Sequence, residues 1–387
     1  MIYLHMGTMK TGTTVLQDFL PKNEDVLNER GFSYPLMTDL GIEKKYEHRN
    51  AHFLTYRPPI RDKKERAKRA NEVREKGFEI VKERLDLGLN VILSDEILWY
   101  RQVDESTPGF WKRFLARMDE WGEDFRVIVY FRRQDDYLES YYKQCVKGNP
   151  QITDTFDEFY KGGKYRFIHV EYYSYLEKMA KIIGKDRIIV RPYEKSQFKN
   201  QNIYEDFLDA LGLEWEDSFE IVEGYINNSF EGNMLEIKRI INHLPEYKNP
   251  DIYRRLMDEL YGNEGVLNKP KNKFTMFSSH GERMDFLDSL KEENEKVARE
   301  YLGRKDGILF REPVKEKPPY EIDSKNLYKD ITMTLAFMGW KNHEKIGELE
   351  KEIKRLEKSL EEYGKILNKK NILKRGVNKI KKVVENG

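Results

Sequence analysis

Residues 1–17 read Met1-Ile2-Tyr3-Leu4-His5-Met6-Gly7-Thr8-Met9-Lys10-Thr11-Gly12-Thr13-Thr14-Val15-Leu16-Gln17. Residues 2–6 make a short apolar run suited to a buried strand, and residues 7–14 are almost all small or polar. Residues 15–30 then place Val15, Leu16, Phe19, Leu20, Val26 and Leu27 at helical spacing and end before Gly31, a good residue just past a helix end. The pattern predicts strand, loop and helix in that order. A glycine loop at such a junction aims backbone N–H groups and the positive end of a helix at an anion, usually a phosphate. Thr11, Thr13 and Thr14 add hydroxyl donors, and Lys10 adds a mobile cation.

The loop departs from the phosphate loop of NTPases, G-x-x-x-x-G-K-[ST]. Its lysine precedes the second glycine, and the loop is shorter. With only a 5′-phosphate to cradle, a lysine at the crest reaches the bridging oxygen of a group leaving that phosphate.

The rest of the chain supplies the sheet. Residues 62–84 read as a charged helix with an apolar stripe at Val73, Phe78, Val81 and Leu85. Val91-Ile92-Leu93 is a second strand ending at Ser94-Asp95-Glu96, and residues 110–121 are helical. Residues 125–131 (Phe-Arg-Val-Ile-Val-Tyr-Phe) are short, β-branched and nearly all apolar, as in a strand covered on both faces. A helix over 136–147 and a strand over 187–190 follow. This alternation predicts a three-layer α/β/α fold of the P-loop-like kind, around a mostly parallel central sheet. From about residue 227 the pattern turns helical, with a partly irregular excursion over 244–277, and no internal repeat is visible.

Composition narrows the function classes. Of 387 residues, 39% are apolar and 35% charged, enough for a core and for long surface helices. Lys plus Arg (69) nearly balance Asp plus Glu (68), so a global polyanion-binding role, nucleic acid included, gains no support. The single cysteine, Cys145, rules out an intrachain disulfide and a cysteine-based metal site. No apolar run approaches the roughly 20 residues that span a bilayer. The first residues lack the basic flank and apolar length of a signal peptide. The expected location is the cytoplasm.

The end of the chain differs in kind. Ile346, Leu349, Ile353, Leu356, Leu360, Tyr363 and Leu367 are spaced 3, 4, 3, 4, 3, 4. Residues 343–367 therefore read as a heptad helix, paired in a homo-oligomer, joined to a partner, or docked on the main domain. Residues 368–387 hold seven Lys/Arg against Glu385, with apolar residues interleaved. That tail is either a basic amphipathic helix able to lie on the inner membrane surface or a disordered solvated segment.

His5-x-Gly7-x-x-Lys10-Thr11-Gly12-Thr13-Thr14-x-Leu16-Gln17 resembles the 5′-phosphosulfate loop of sulfotransferases that use 3′-phosphoadenosine-5′-phosphosulfate (PAPS). It is most similar to their bacterial group, which acts largely on glycans. That family binds the cofactor's 3′-phosphate through an Arg at the end of a central strand and a Ser eight residues later. Arg132 and Ser140, following residues 125–131, have that spacing, with a planar bidentate donor and a hydroxyl for a phosphate dianion. Gln134 stands where the family often has Pro or Ala, and a share for Arg133 stays open. Tyr193 of Tyr193-Glu194 matches a tyrosine that packs near the adenine, or is a core aromatic at a strand end. Residues 284–310, with Asn294, Tyr301 and Leu309-Phe310, resemble the family's C-terminal helix and loop. The likeness covers residues 1–335, the expected catalytic domain.

It implies a cradle of Gly7, Thr8, Lys10, Thr11, Gly12, Thr13 and Thr14. It also implies adenosine 3′,5′-bisphosphate as product, no metal, and a saccharide or cell-surface glycan as acceptor. In-line sulfuryl transfer needs a cation at the leaving oxygen, for which Lys10 is the candidate, and a base for the acceptor hydroxyl. Relatives carry a His or Glu base after the second strand. Glu96 aligns with it, Asp95 is the nearest substitute, and Glu96 as a helix cap or arginine partner is the plain alternative. His48 and His52, four residues apart, would share one helical face, and His52 is a second candidate for base or acceptor binding. Their spacing permits a metal site, but no third ligand is evident. Two other classes compete: a nucleotide kinase or NTPase with an atypical loop, in which Asp95 would hold Mg²⁺, and a non-catalytic nucleotide-binding scaffold for the heptad tail.

Overall fold

The computed structural model describes residues 1–387 apart from 44–46, 101–108, 149, 166–167, 223–229, 263–272 and 386–387. Two compact units divide the chain. The first comprises Met1–Phe230 and Lys271–Glu321, and the second Glu231–Pro270 and Ile322–Gly387.

The first unit opens as the loop signature predicts, with β1 (Ile2–Gly7) running into α1 (Thr13–Lys22). After α2 (Glu24–Glu29) come β2 (Phe32–Ser33), α3 (His52–Thr55), α4 (Lys63–Asp86) and β3 (Asn90–Ser94). Next are α5 (Ile97–Tyr100), α6 (Gly109–Trp121), β4 (Phe125–Phe131) and α7 (Gln134–Lys147). Helices α8 (Phe156–Lys161) and α9 (Tyr172–Ile183), strand β5 (Ile188–Pro192) and helix α10 (Ile203–Ala210) follow.

The five strands form one sheet in the order β2-β3-β1-β4-β5, every pairing parallel. Parallel sheets require both faces covered, and they are. Leu16, Phe19 and Leu20 of α1 join Phe207 and Leu208 of α10 against Ile92, Ile128 and Tyr130 on one face. On the other, Phe131 stacks on Tyr172 at 4.2 Å, beside buried Trp99. The chain leaves β1 toward β3 and β2, then leaves β4 the opposite way toward β5. The topological switch point, where such sheets bind ligands, therefore lies between the carboxyl ends of β1 and β4.

The helix expected over residues 15–30 is two helices. Pro21 lacks an N–H, and Asn23 takes over the local bonding. Its side chain donates to Phe19 O (2.8 Å) and Glu220 O (2.9 Å) and accepts from Glu220 N–H (2.7 Å). The two-residue edge strand β2 is too short for periodicity to reveal.

The second unit holds α11 (Asn233–Ile241) and α12 (Pro250–Gly262). Helices α13 (His280–Ser289) and α14 (Lys291–Leu302) return to the first unit. One long helix, α15 (Ser324–Glu385), ends the second. The segment expected to be partly irregular contains α12, and its residues 263–272 lie outside the described residues, as does position 227. Buried Asn233 ties α11 to α15 through Asp330 Oδ2 (2.8 Å). The heptad positions and the basic tail are parts of α15. Ile346, Leu349, Ile353, Leu356 and Leu360 are 52–70% exposed. The side chains of Tyr363, Leu367 and the basic tail lie outside what the structure describes. No described helix is long and apolar enough to cross a membrane.

Asn23→Ala removes three hydrogen bonds of a buried side chain, two of them to the Glu220 peptide. The expected loss is about 1–3 kcal/mol, read as a lower denaturation midpoint by tryptophan fluorescence.

Candidate active site

Loop 8–12 leaves β1, and Arg132 and Arg133 leave β4. Fully buried Thr8 joins them. Its N–H donates to Tyr130 O (3.1 Å), and its hydroxyl accepts from the Arg132 N–H (3.1 Å). Thr11 Oγ1 donates to Thr8 O (2.7 Å), folding the loop back on itself. Lys10 and Gly12 then take left-handed backbone conformations, φ +64° and +71°. The Arg132 guanidinium donates to the Lys10 carbonyl at 3.3 Å, so two motifs 122 residues apart form one hydrogen-bonded unit.

The start of α1 is arranged to receive an anion. Gly12 caps it without a side-chain hydrogen bond, and no acidic residue stands in the first turn. The first N–H groups of a helix have no partner within it, and here no carboxylate of that turn competes for them. Thr13 Oγ1 is buried without a partner. Backbone alone fits at both glycines. A Cβ on Gly7 would lie 2.6 Å from Tyr130 O, and one on Gly12 would lie 2.8 Å from Ile203 Cδ1 and 3.2 Å from the Tyr193 ring. These features suit a phosphate.

Lys10 and Glu96 line the same cavity of about 150 Å³, with Gly12, Thr13, Thr14 and Gln144 in its wall. Lys10 reaches solvent, but partial burial lowers its pKa, with the Arg132 charge adding to the effect and the Glu96 charge opposing it. Burial raises the pKa of Glu96. The Arg49 guanidinium 3.5 Å away opposes that, the Asp95 charge reinforces it, and a hydrogen bond from Gln17 favours the ionised form. The plain alternative for Glu96 therefore holds in part, since it pairs with an arginine and also lines the cavity.

Asp95 is different. It is fully buried, accepting from Arg49 at 2.5 Å, from Ile97 N–H at 3.0 Å, and meeting His52 Nδ1 at 3.1 Å. Burial alone would raise its pKa, but the His52 hydrogen bond and the Arg49 charge outweigh it and hold the carboxyl low.

The expectation that His48 and His52 share a helical face is corrected. Only His52 is helical, as the first residue of α3, while His48 meets Asp18 at 2.8 Å. The cause is buried Asn50, which donates to Ile92 O (2.8 Å) and accepts from Ser94 N–H (2.7 Å). It holds this stretch along the edge of β3 before a helix can begin. Tyr46, at the start of the same segment, lies outside the described residues.

Ser140 is half-buried on α7, four residues before Gln144 and so on the same helix face as that cavity residue. Arg133 is occupied, bonding Asp135 (2.8 Å), Asp136 (3.3 Å) and Glu312 O (3.2 Å). The Tyr193 ring packs against Gly12, and buried Glu194 accepts from the N–H groups of Arg311 (2.6 Å) and Glu312 (3.2 Å). Arg49, Gln17 and Gln144 had no assigned role in the sequence reading. Gln144 was accessible to it as the residue one turn beyond Ser140. Arg49 has no such signal, because its role depends on the chain path that Asn50 sets.

The fold and candidate site together describe an α/β protein in which a glycine loop and a helix start meet at the switch point of a parallel sheet. No protein-family model matches the chain. An uncharacterized protein of Archaeoglobus fulgidus is 30% identical over 222 residues, 55% of this chain and 57% of that protein, so the chain spans little more than half of that relative. Among solved structures, a sulfotransferase from Alicyclobacillus acidocaldarius gives a TM-score of 0.31 at 15% identity, over 58% of this chain and 86% of that one. The sulfotransferase domain from the curacin biosynthetic pathway gives 0.30 at 11% identity, over 58% and 80%.

Beneath the loop, His5 is fully buried, its Nδ1 2.9 Å from Ser94 Oγ, which also accepts from Gln17 Nε2 (3.2 Å). Burial lowers its pKa from 6.5 to about 3. Between these values the unfolded chain binds a proton that the folded chain does not. Stability should therefore fall as pH drops from about 6.5 toward 3. His5→Asn keeps a polar group near Ser94 without that proton, and its stability should fall less steeply over the same range in pH-resolved denaturation.

Proposed function

We propose that the protein is a sulfotransferase that takes PAPS as donor and a saccharide hydroxyl as acceptor. The observation that carries this is the shared cavity: Lys10 and Glu96 face one space at the anion-receiving end of α1. The N–H groups at the start of α1 and the hydroxyls of Thr11, Thr13 and Thr14 would hold the donor's 5′-phosphate. Arg132 and Ser140 would hold its 3′-phosphate, with Tyr193 beside the adenine. When bound, the donor supplies a sulfuryl group on a good leaving phosphate.

The residues then divide the work. Glu96 takes the acceptor proton at its carboxylate as the acceptor oxygen bonds to sulfur. Lys10 stabilises the charge that builds on the bridging oxygen as its bond to sulfur breaks. The products are a sulfate ester and adenosine 3′,5′-bisphosphate, with the proton left on Glu96. A raised pKa makes Glu96 a stronger base, and Arg49 keeps it ionised enough to act. His52 holds Asp95 and, through it, the acceptor side of the site.

The NTPase alternative needs a carboxylate open to Mg²⁺, and the oxygens of Asp95 are taken by Arg49, Ile97 and His52. A mere scaffold gives no reason for a base opposite Lys10. Three further readings belong to the proposal: action in the cytoplasm, pairing of α15 through 346–367, and contact of 368–387 with an anionic membrane surface.

Transfer of labelled sulfate from PAPS to saccharide acceptors tests the assignments. Lys10→Ala and Glu96→Gln should each cut kcat by roughly 10²–10³-fold, while Ser140→Ala should mainly raise the donor KM. A near-normal kcat in Lys10→Ala would remove it from the leaving-group role.

A further inference from the structure

Residues 57–68 take no part in the site described so far. Arg57, Arg61, Lys63, Lys64, Arg66 and Lys68 are all exposed. Asp62 and Glu65 stand against them, a net of +4 in a chain whose total is +1. The Asp62 side chain is used in capping α4, accepting from Glu65 N–H at 2.8 Å. Among the described residues, none of these six cations forms an ion pair, the next along the helix being Arg69 with Glu72.

The arrangement costs stability. Lys63, Lys64 and Arg66 stand in the first turn of α4, where the helix dipole favours Glu65 but disfavours the three cations, and the cations also repel one another. Unpaired like charges placed against the dipole break a local rule, as surfaces kept for function do. The segment before the helix is stiff: Pro58 is buried, Pro59 follows, and Ile60 N–H closes on Pro58 O at 2.8 Å. A rigid display of charge loses less entropy on binding.

The strip is also continuous with the acceptor side of the site. His52, bonded to Asp95 beside Glu96, meets the Tyr56 ring edge-on at 6.0 Å, and Arg57 comes next in the chain. The Phe53 ring of α3 fills the space that a Cβ on Gly77 of α4 would need, so the two helices are packed together.

We propose that residues 57–68 bind negative charges carried by the acceptor itself, which makes the acceptor an anionic polysaccharide. This rests on the sulfotransferase reading. Its chain would run from Glu96 past His52 and Arg57 to the start of α4, with carboxylate or sulfate groups of successive sugars meeting the cations. A membrane surface suits the strip less well, because no large apolar side chain between 57 and 68 is exposed to enter lipid. Nucleic acid suits it less well too, since the strip carries no exposed aromatic for base stacking.

The test uses the full chain and oligogalacturonate, with neutral malto-oligosaccharide, a DNA duplex and vesicles of equal phosphatidylglycerol and phosphatidylcholine as comparisons. Oligogalacturonate should bind, more weakly as salt rises, and the neutral sugar should not. Substituting Arg61→Ser, Lys63→Ser, Lys64→Ser and Lys68→Ser together should weaken binding roughly tenfold. The same variant should keep its affinity for adenosine 3′,5′-bisphosphate, which reports an intact fold.

Oligogalacturonate binding unchanged in that variant overturns the proposal. So does binding lost instead on Lys374→Ser, Arg375→Ser, Lys381→Ser and Lys382→Ser in the tail, and so does tighter binding of DNA or vesicles than of oligogalacturonate through the strip. Failure of the unsubstituted chain to bind the bisphosphate would instead overturn the sulfotransferase reading.

Discussion

Thr8 ties the carboxyl ends of β1 and β4 together, and the candidate site depends on that tie. Its backbone continues the β1–β4 ladder by one more bond, and its hydroxyl receives the first N–H beyond β4. Because it is fully buried, neither group has water as a substitute. The loop must therefore turn where it does, which sends Lys10 and Gly12 into left-handed conformations and points the start of α1 across the switch point. Arg132 is fixed by the same bond. Loop 8–12 and Arg132, the two segments proposed to hold the donor's phosphates, are thus fixed by one threonine between two parallel strands.

A second constraint is electrostatic. Asp95 and Glu96 are adjacent carboxylates near one guanidinium, and Arg49 does not serve them equally. The pair at 2.5 Å, with His52 and the Ile97 N–H, keeps Asp95 ionised and structural. Glu96 is left with the longer contact and the cavity, and burial raises its pKa. Neighbouring groups whose environments push their pKa values apart are the usual means of separating a structural acid from a reactive one. Ser94, Gln17 and His5 form a hydrogen-bonded floor beneath this pair.

The sheet was legible because its strands carry their own signal. Residues 125–131 are apolar on both faces and become β4 at those bounds, and residues 1–17 show strand, loop and helix directly. What periodicity could not show was set by polar side chains acting at a distance. Asn23 breaks the first helix by bonding Glu220, 197 residues away, and Asn50 holds the segment of His48 and His52 against β3. Glu96 was accessible as a carboxylate after a strand, yet the difference between its surroundings and those of Asp95 depends on Arg49. The cavity opposite Lys10 exists only once β1, β3 and α7 are assembled. The proposed saccharide acceptor has no counterpart among these contacts and rests on the likeness of the loop and on the cations of 57–68.

The ligand we propose for the switch point is a 3′-phosphorylated nucleotide with a departing group on its 5′-phosphate. Titration calorimetry with adenosine 3′,5′-bisphosphate and with Mg·ATP tests it most directly. The bisphosphate should bind tightly without magnesium, less tightly after Arg132→Ala, and Mg·ATP should bind much more weakly. Preference for Mg·ATP, or bisphosphate affinity indifferent to Arg132, would contradict it.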